Sequence, residues 1–111
     1  MWQQITEGNL PDDLAAMTSS IWQYDELVRV GVMKSTSMLM PPHLWAEVYQ
    51  SDVKALRQSR NMLDELQQML HLPIVYAEVP SSNRHNLHFL RFIGFTDVAQ
   101  EDNITLFKRT I

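Results

Sequence analysis

No cysteine occurs among the 111 residues, which excludes disulfides, thiolate nucleophiles and cysteine metal sites together. The absence fits a reducing compartment without requiring one, since secreted proteins also do without the residue. Glycine is nearly as scarce: three scattered positions cannot assemble a Walker-type or dinucleotide-binding pattern. Basic residues are in deficit, nine against thirteen acids, and the net charge of −4 gives no general pull towards nucleic-acid phosphates. No apolar run approaches the ~20 residues of a membrane span. The start, Met1-Trp2-Gln3-Gln4, lacks the basic-then-apolar order of a signal peptide. Neither nucleic acid nor membrane is therefore expected as a partner.

What is present suits one globular domain over residues 1–111, with a hydrophobic content of 45%. A domain this small must bring nearly every regular element into one core. Seven methionines are many for its length. Met38 and Met40 fall in an expected strand and Met62 and Met69 on an expected helix, where methionine serves as adaptable core filler.

Residues 2–6 read as a short strand turning at Gly8-Asn9. Leu10-Pro11-Asp12-Asp13 opens a short helix, with proline and acids where the first turn favours them. Residues 20–24 and 27–33 read as strands joined at Asp25-Glu26, and residues 37–40 either continue the second or form another. Pro41-Pro42 stops that element. In the strand at 43–49, Leu44, Ala46 and Val48 share one face and Trp45, Glu47 and Tyr49 the other. Ser51 caps a long helix reaching about residue 70, with Val53, Leu56, Leu63, Leu66 and Leu70 at helical spacing, Met62 and Met69 alongside, and Pro73 as its stop.

Residues 74–79 are the strongest strand candidate, so strand, helix and strand form a βαβ unit with parallel strands and a right-handed crossover. A second helix over 84–93, carrying Leu87, Phe89, Leu90, Phe92 and Ile93, closes at Gly94. Residues 95–99 and 104–111 form a hairpin turning at Glu101-Asp102-Asn103. The order β-α-β-β-β-α-β-α-β-β is that of an α/β domain with a mixed central sheet.

The segment Val79-Pro80-Ser81-Ser82-Asn83, followed by a helix ending in Gly94-Phe95, resembles the last conserved segment of the GCN5-related N-acetyltransferases (GNAT). In that family a strand ends in valine, an asparagine opens a helix, and the helix ends in Gly-Phe. The element order is similar from about Trp2 to the end, with the region after the first helix pruned. A second resemblance is to small proteins of short-tailed bacteriophages that keep this fold in degenerate form as virion or assembly components.

The family resemblance implies a site for acetyl-coenzyme A where two parallel strands splay, with the pyrophosphate on amides opening the long helix. The family's phosphate pattern, Q/R-x-x-G-x-G/A, falls on Gln50-Ser51-Asp52-Val53-Lys54-Ala55. Gln50 and Ala55 fit, but Val53 stands at the first glycine position and Asp52 places a carboxylate where phosphate charge would rest. Lys54, Arg57 and Arg60 read as a solvated helix face. The position of the family's acid, a tyrosine on the last helix, holds Leu90, which has no proton to give. If the chain is active, the resemblance leaves Glu47 or Glu78 as base, Tyr49 and Tyr76 as substitute acids, and Gln50, Ala55 and Asn83 as coenzyme A contacts.

These departures lead to the expectation of a non-catalytic structural or interaction protein without a cofactor. The expected role is a bacteriophage virion or assembly component that self-associates or docks on a larger protein assembly, made in the cytoplasm. The alternative is a minimal N-acetyltransferase using acetyl-coenzyme A. His85 and His88, three apart on a helix with His43 and His71 elsewhere, are read as exposed residues rather than metal ligands.

Overall fold

A computed structural model describes residues 1–6, 10–34, 41–49 and 53–111, and of α2 the side chains from Arg57 onward. The elements run β1 (Trp2–Ile5), α1 (Asp12–Met17), β2 (Thr18–Tyr24), β3 (Val28–Met33), β4 (Leu44–Val48), α2 (Val53–Met69), β5 (Ile74–Pro80), α3 (Arg84–Phe92), β6 (Thr96–Glu101) and β7 (Ile104–Thr110). This is the expected α/β order. The expected turn at Gly8-Asn9, strand at 37–40 with Met38 and Met40, and cap at Ser51 lie outside the described residues.

The mixed sheet is divided more sharply than the βαβ pattern suggests. Strands β1-β2-β3-β4 form one antiparallel sheet and β5-β7-β6 another. Among the described residues a single parallel bridge, His43 to Tyr76, joins them.

Local chemistry accounts for the elements. Trp2 is buried, donates its indole N–H to the Met62 carbonyl at 2.8 Å and meets Tyr24 edge to face, so β1 is pinned to α2. The β6–β7 hairpin turns on Asp102 and Asn103, both at positive φ (51° and 65°), a pair that tolerates this left-handed turn best after glycine. Met62, Leu63, Leu66, Val75, Ala77, Val79, Ile93, Phe95 and Phe107 make the core between the helices and the second sheet. Two stripe residues depart from expectation: Met69 is 44% and Phe92 48% exposed. Each lies in the last turn of its helix, which rotates past the core.

Both long helices end in the same way. At α3, Gly94 (φ 105°) donates to the Arg91 carbonyl and Phe95 to that of Leu90, a Schellman ending that puts Phe95 in the core. At α2, His71 takes the glycine's place at φ 54°, donating to Gln68 while Leu72 donates to Gln67. The helix is therefore stopped at His71, before Pro73.

Arg109, on β7 and 4% exposed, ties these endings together. Its Nε donates to the Ile93 carbonyl (3.0 Å), Nη2 to the Arg60 carbonyl (2.9 Å), and Nη1 to Gln67 Oε1 (2.7 Å) beside Asp64 (2.8 Å). Buried Gln67 in turn donates to the carbonyls of Leu72 and Arg109. Buried polar groups must be paired, and this cluster satisfies itself.

Arg109→Met is expected to destabilise the chain by about 2–4 kcal/mol, because several buried acceptors lose their donor. Urea denaturation checks this, and a variant as stable as the wild type contradicts it. Arg91 holds Asp97 through two bonds, Nε to Oδ1 at 2.9 Å and Nη2 to Oδ2 at 2.7 Å. The Arg91 hydrogen bond keeps the Asp97 carboxyl below its ordinary value, against desolvation and with help from Arg91's charge. The folded chain thus binds this proton less well than the unfolded chain. The contribution is present above about pH 4 and fades as pH falls further. The stability gap between wild type and Asp97→Asn should accordingly narrow in acid, read from denaturation midpoints at neutral and acid pH.

Candidate active-site cleft

The cleft follows from how β4 and β5 are paired. Tyr49 N donates to the Leu27 carbonyl and Met33 N to that of His43. In an antiparallel ladder the polar groups of alternate residues point to opposite edges. Those of residues 43, 45, 47 and 49 therefore face β3, and those of Leu44, Ala46 and Val48 face the β5 side. At the root, Pro42 still gives its carbonyl to Tyr76 N at 2.9 Å. Beyond the bridge no further β4–β5 pairing occurs among the described residues, while β5 is held along its other edge by β7 from Ile74 to Pro80. The two strands splay.

The opening is a cleft of about 270 Å³. Its walls are largely apolar: Val30, Ala46, Val48, Leu63, Ala77 and Val79 together with Phe89, Leu90 and Ile93 of the helices. Trp45 and Glu78 also line it, although they sit on the opposite face of their strands from Ala46, Ala77 and Val79. The opening thus passes between the strands from the helix side to the other face. Trp45 is seated there because Gly31 opposite has no side chain; a Cβ at Gly31 would strike the Trp45 ring. Its indole N–H donates to Thr18 Oγ1 at 2.9 Å.

On that second face Trp45 and Glu47 of β4, with His43 and Tyr49 immediately flanking it, stand beside Tyr76 and Glu78 of β5. His43 Nε2 lies 3.3 Å from Glu78 Oε1, with side chains 32% and 55% exposed, and its ring tilts against Tyr76 at 5.5 Å. Glu47 is exposed and accepts from the Tyr49 hydroxyl at 3.3 Å. The Arg29 guanidinium lies over the Tyr49 ring, and its Nε has no hydrogen-bond partner among the described residues.

Of the sequence candidates, Glu78 lines the cleft, and Glu47 lies further along β4 on the same face. Leu90 lines the cleft as a hydrocarbon wall. Asn83 is committed to helix capping, accepting from Asn86 N at 3.2 Å. Gln50 and Asp52 lie outside the described residues, as do the side chains of Val53, Lys54 and Ala55. Arg57 and Arg60 are exposed. His85 and His88 are exposed on α3, and no three potential metal ligands gather among the described residues. Sequence reading passed over His43 as a partner of Glu78. Its one signal was position, directly after Pro41-Pro42 at the head of a strand.

No protein-family description and no curated protein matches the sequence. Among solved structures, the chain is similar to a chimera of the spermidine N-acetyltransferase SpeG from Vibrio cholerae with hSSAT (TM-score 0.65, 12% identity, covering 82% of this chain and 66% of that one). It is also similar to a GNAT-family acetyltransferase from Listeria monocytogenes (0.58, 12%, 83% and 63%). A third is the N-acetyltransferase PseH from Campylobacter jejuni in complex with acetyl coenzyme A (0.58, 11%, 82% and 65%). The chain spans just under two thirds of the length of each. No helix of the described residues is long and apolar enough to cross a membrane.

These likenesses correct the expectation of a non-catalytic virion or assembly component: solved structures that share the architecture are acetyltransferases, and among the described residues the cleft between the central strands is open. The fold is that of the GNAT acyl-coenzyme A N-acyltransferases.

Proposed function

We propose that the chain is a minimal N-acetyltransferase, transferring an acetyl group from acetyl-coenzyme A to an amine in the cytoplasm. The observation that carries this reading is the splay between β4 and β5, in a fold shared with solved acetyltransferases.

The chain's own residues suit an extended acyl-thioester arm. The inward edge of β4 offers the backbone N–H and C=O groups of Ala46 and Val48, the kind of partners an amide-bearing chain needs. Ala46 and Ala77 leave room where larger side chains would close the gap, and Val30, Leu63, Val79 and Phe89 keep the walls apolar. From Val48 to His43 the strand rises roughly 17 Å, enough for a linear arm to run from the α2 end to the root. When bound, acetyl-coenzyme A supplies an activated acyl carbonyl and a thiolate leaving group. The chain binds and orients the arm, keeps water from its walls, and presents carboxylates and tyrosines on the far face.

Leu90 cannot protonate the departing sulfur, so this role falls to a hydroxyl on the second face or to water. Tyr76, beside His43 at the root, is the nearer of the two tyrosines to the bridge; Tyr49 lies at the far end of β4.

Acetyl-coenzyme A at ~100 times its dissociation constant should stabilise the chain by about 2.7 kcal/mol. That corresponds to a rise in Tm of roughly 10 °C or more for a domain of this size. Ala46→Phe, which fills the cleft at a solvent-exposed position, should fold and lose the shift. Thermal denaturation with and without ligand checks both; a wild-type chain with no shift at millimolar acetyl-coenzyme A rules the proposal out.

A further inference from the structure

We infer that His43, held by Glu78, is the group that takes the proton from the acceptor amine. This rests on the acetyltransferase reading and goes beyond it by assigning the base to a residue at the root of the splay. Three features of the structure converge on it.

The first is placement. His43 forms the bridge with Tyr76 that is the last shared point of the two sheets, so its imidazole stands where an arm running along β4 ends. Glu78, two residues beyond Tyr76 on the same face of β5, lines the cleft itself. The second is pairing. Nε2 of His43 lies 3.3 Å from Glu78 Oε1, while His43 is about one third exposed. A neutral imidazole carries one nitrogen lone pair that can accept a proton, and the Glu78 carboxylate stands beside the ring. The third is that Glu47, the carboxylate that β4 places on this face, interacts with the Tyr49 hydroxyl at the opposite end of the strand.

Alkyl amines are protonated at neutral pH and cannot attack a carbonyl until one proton leaves. The His43 imidazole takes that proton from the ammonium group. The freed nitrogen pair forms the C–N bond to the acetyl carbonyl carbon, and the C–S bond breaks with its electron pair leaving on sulfur. The second proton lost from nitrogen ends on that sulfur, so the products are an acetamide, a thiol and protonated His43, which returns its proton to water. No oxidant or further reactant is needed. The acceptor class is a primary amine small or extended enough to reach the face carrying Trp45, Tyr76 and Glu78.

The test compares wild type, His43→Gln and Glu78→Gln with two acceptors. One is a basic alkylamine, and the other a fluorinated alkylamine that is largely neutral at the assay pH. General-base removal costs about 10²–10⁴-fold. His43→Gln should therefore lower kcat by at least ~100-fold for the basic amine. For the neutral amine the loss should be several-fold smaller, because its attacking pair is already free. Glu78→Gln should show the same pattern more weakly.

The thermal shift with acetyl-coenzyme A should be unchanged in both variants, which separates a lost base from a misfolded or empty cleft. Equal losses for the two amines, or full activity in His43→Gln, overturn the assignment. A wild-type chain that shows the acetyl-coenzyme A shift but acetylates neither amine also overturns it. A wild-type chain with no shift fails at the earlier step, and the acetyltransferase reading falls with it.

Discussion

The hydrogen bond from Tyr76 N to the Pro42 carbonyl, 2.9 Å long, is where two sheets become one structure. Short of it, β4 belongs to an antiparallel sheet with β1 to β3; across it, β5 belongs to a sheet with β6 and β7. Each central strand is fully paired on its outer edge, and neither needs the other for most of its length. The inner edges would be a liability on a protein's outside, where they template association. Turned towards each other around a cleft, they become backbone donors and acceptors that water or a ligand can meet. The wedge of Leu63, Phe89, Leu90 and Ile93 beneath them keeps the gap from closing.

That wedge stays in place because the ends of α2 and α3 are fixed to the same strand. Arg109 reaches from β7 to carbonyls on both helices and to Gln67, so the two Schellman endings share one buried cation. Gly94 is required twice over. Its φ of 105° suits glycine alone, and an added Cβ would come within 3.3 Å of Arg109 Nε. The Gly-Phe pair that marks the family segment thus has a packing reason here: the glycine ends the helix against the arginine, and the phenylalanine enters the core. At the matching end of α2, His71 adopts the left-handed conformation without glycine's freedom, and Gln67 ties that end to Leu72 and Arg109.

The correction of function has a physical cause. The expectation of a non-catalytic chain rests on single positions: a branched residue and a carboxylate in the phosphate pattern, and a leucine in place of a tyrosine. Such positions judge one route for charge and proton. They do not judge whether the space between two strands is filled, which depends on Ala46 and Ala77 being small and on where the helices put Phe89 and Leu90. They also cannot find a substitute group on another strand. His43 and Glu78 are 35 positions apart, and each alone reads as an exposed strand residue.

The order of elements, the Asn83 cap, the Gly94 ending and the Asp102-Asn103 turn were legible in the sequence, because each depends on neighbours within about five residues. Helical and strand periodicities likewise declared most of the buried faces; Met69 and Phe92 escaped because a terminal turn rotates out of register with the core. What only the tertiary structure decided is non-local. The parallel strands inferred from strand-helix-strand connectivity share one bridge among the described residues, since connectivity sets direction and leaves the number of paired residues to packing. The burial of Arg109, the seat of Trp45 over Gly31 and the meeting of His43 with Glu78 all depend on register between segments distant in the chain, and periodicity carries no information about register.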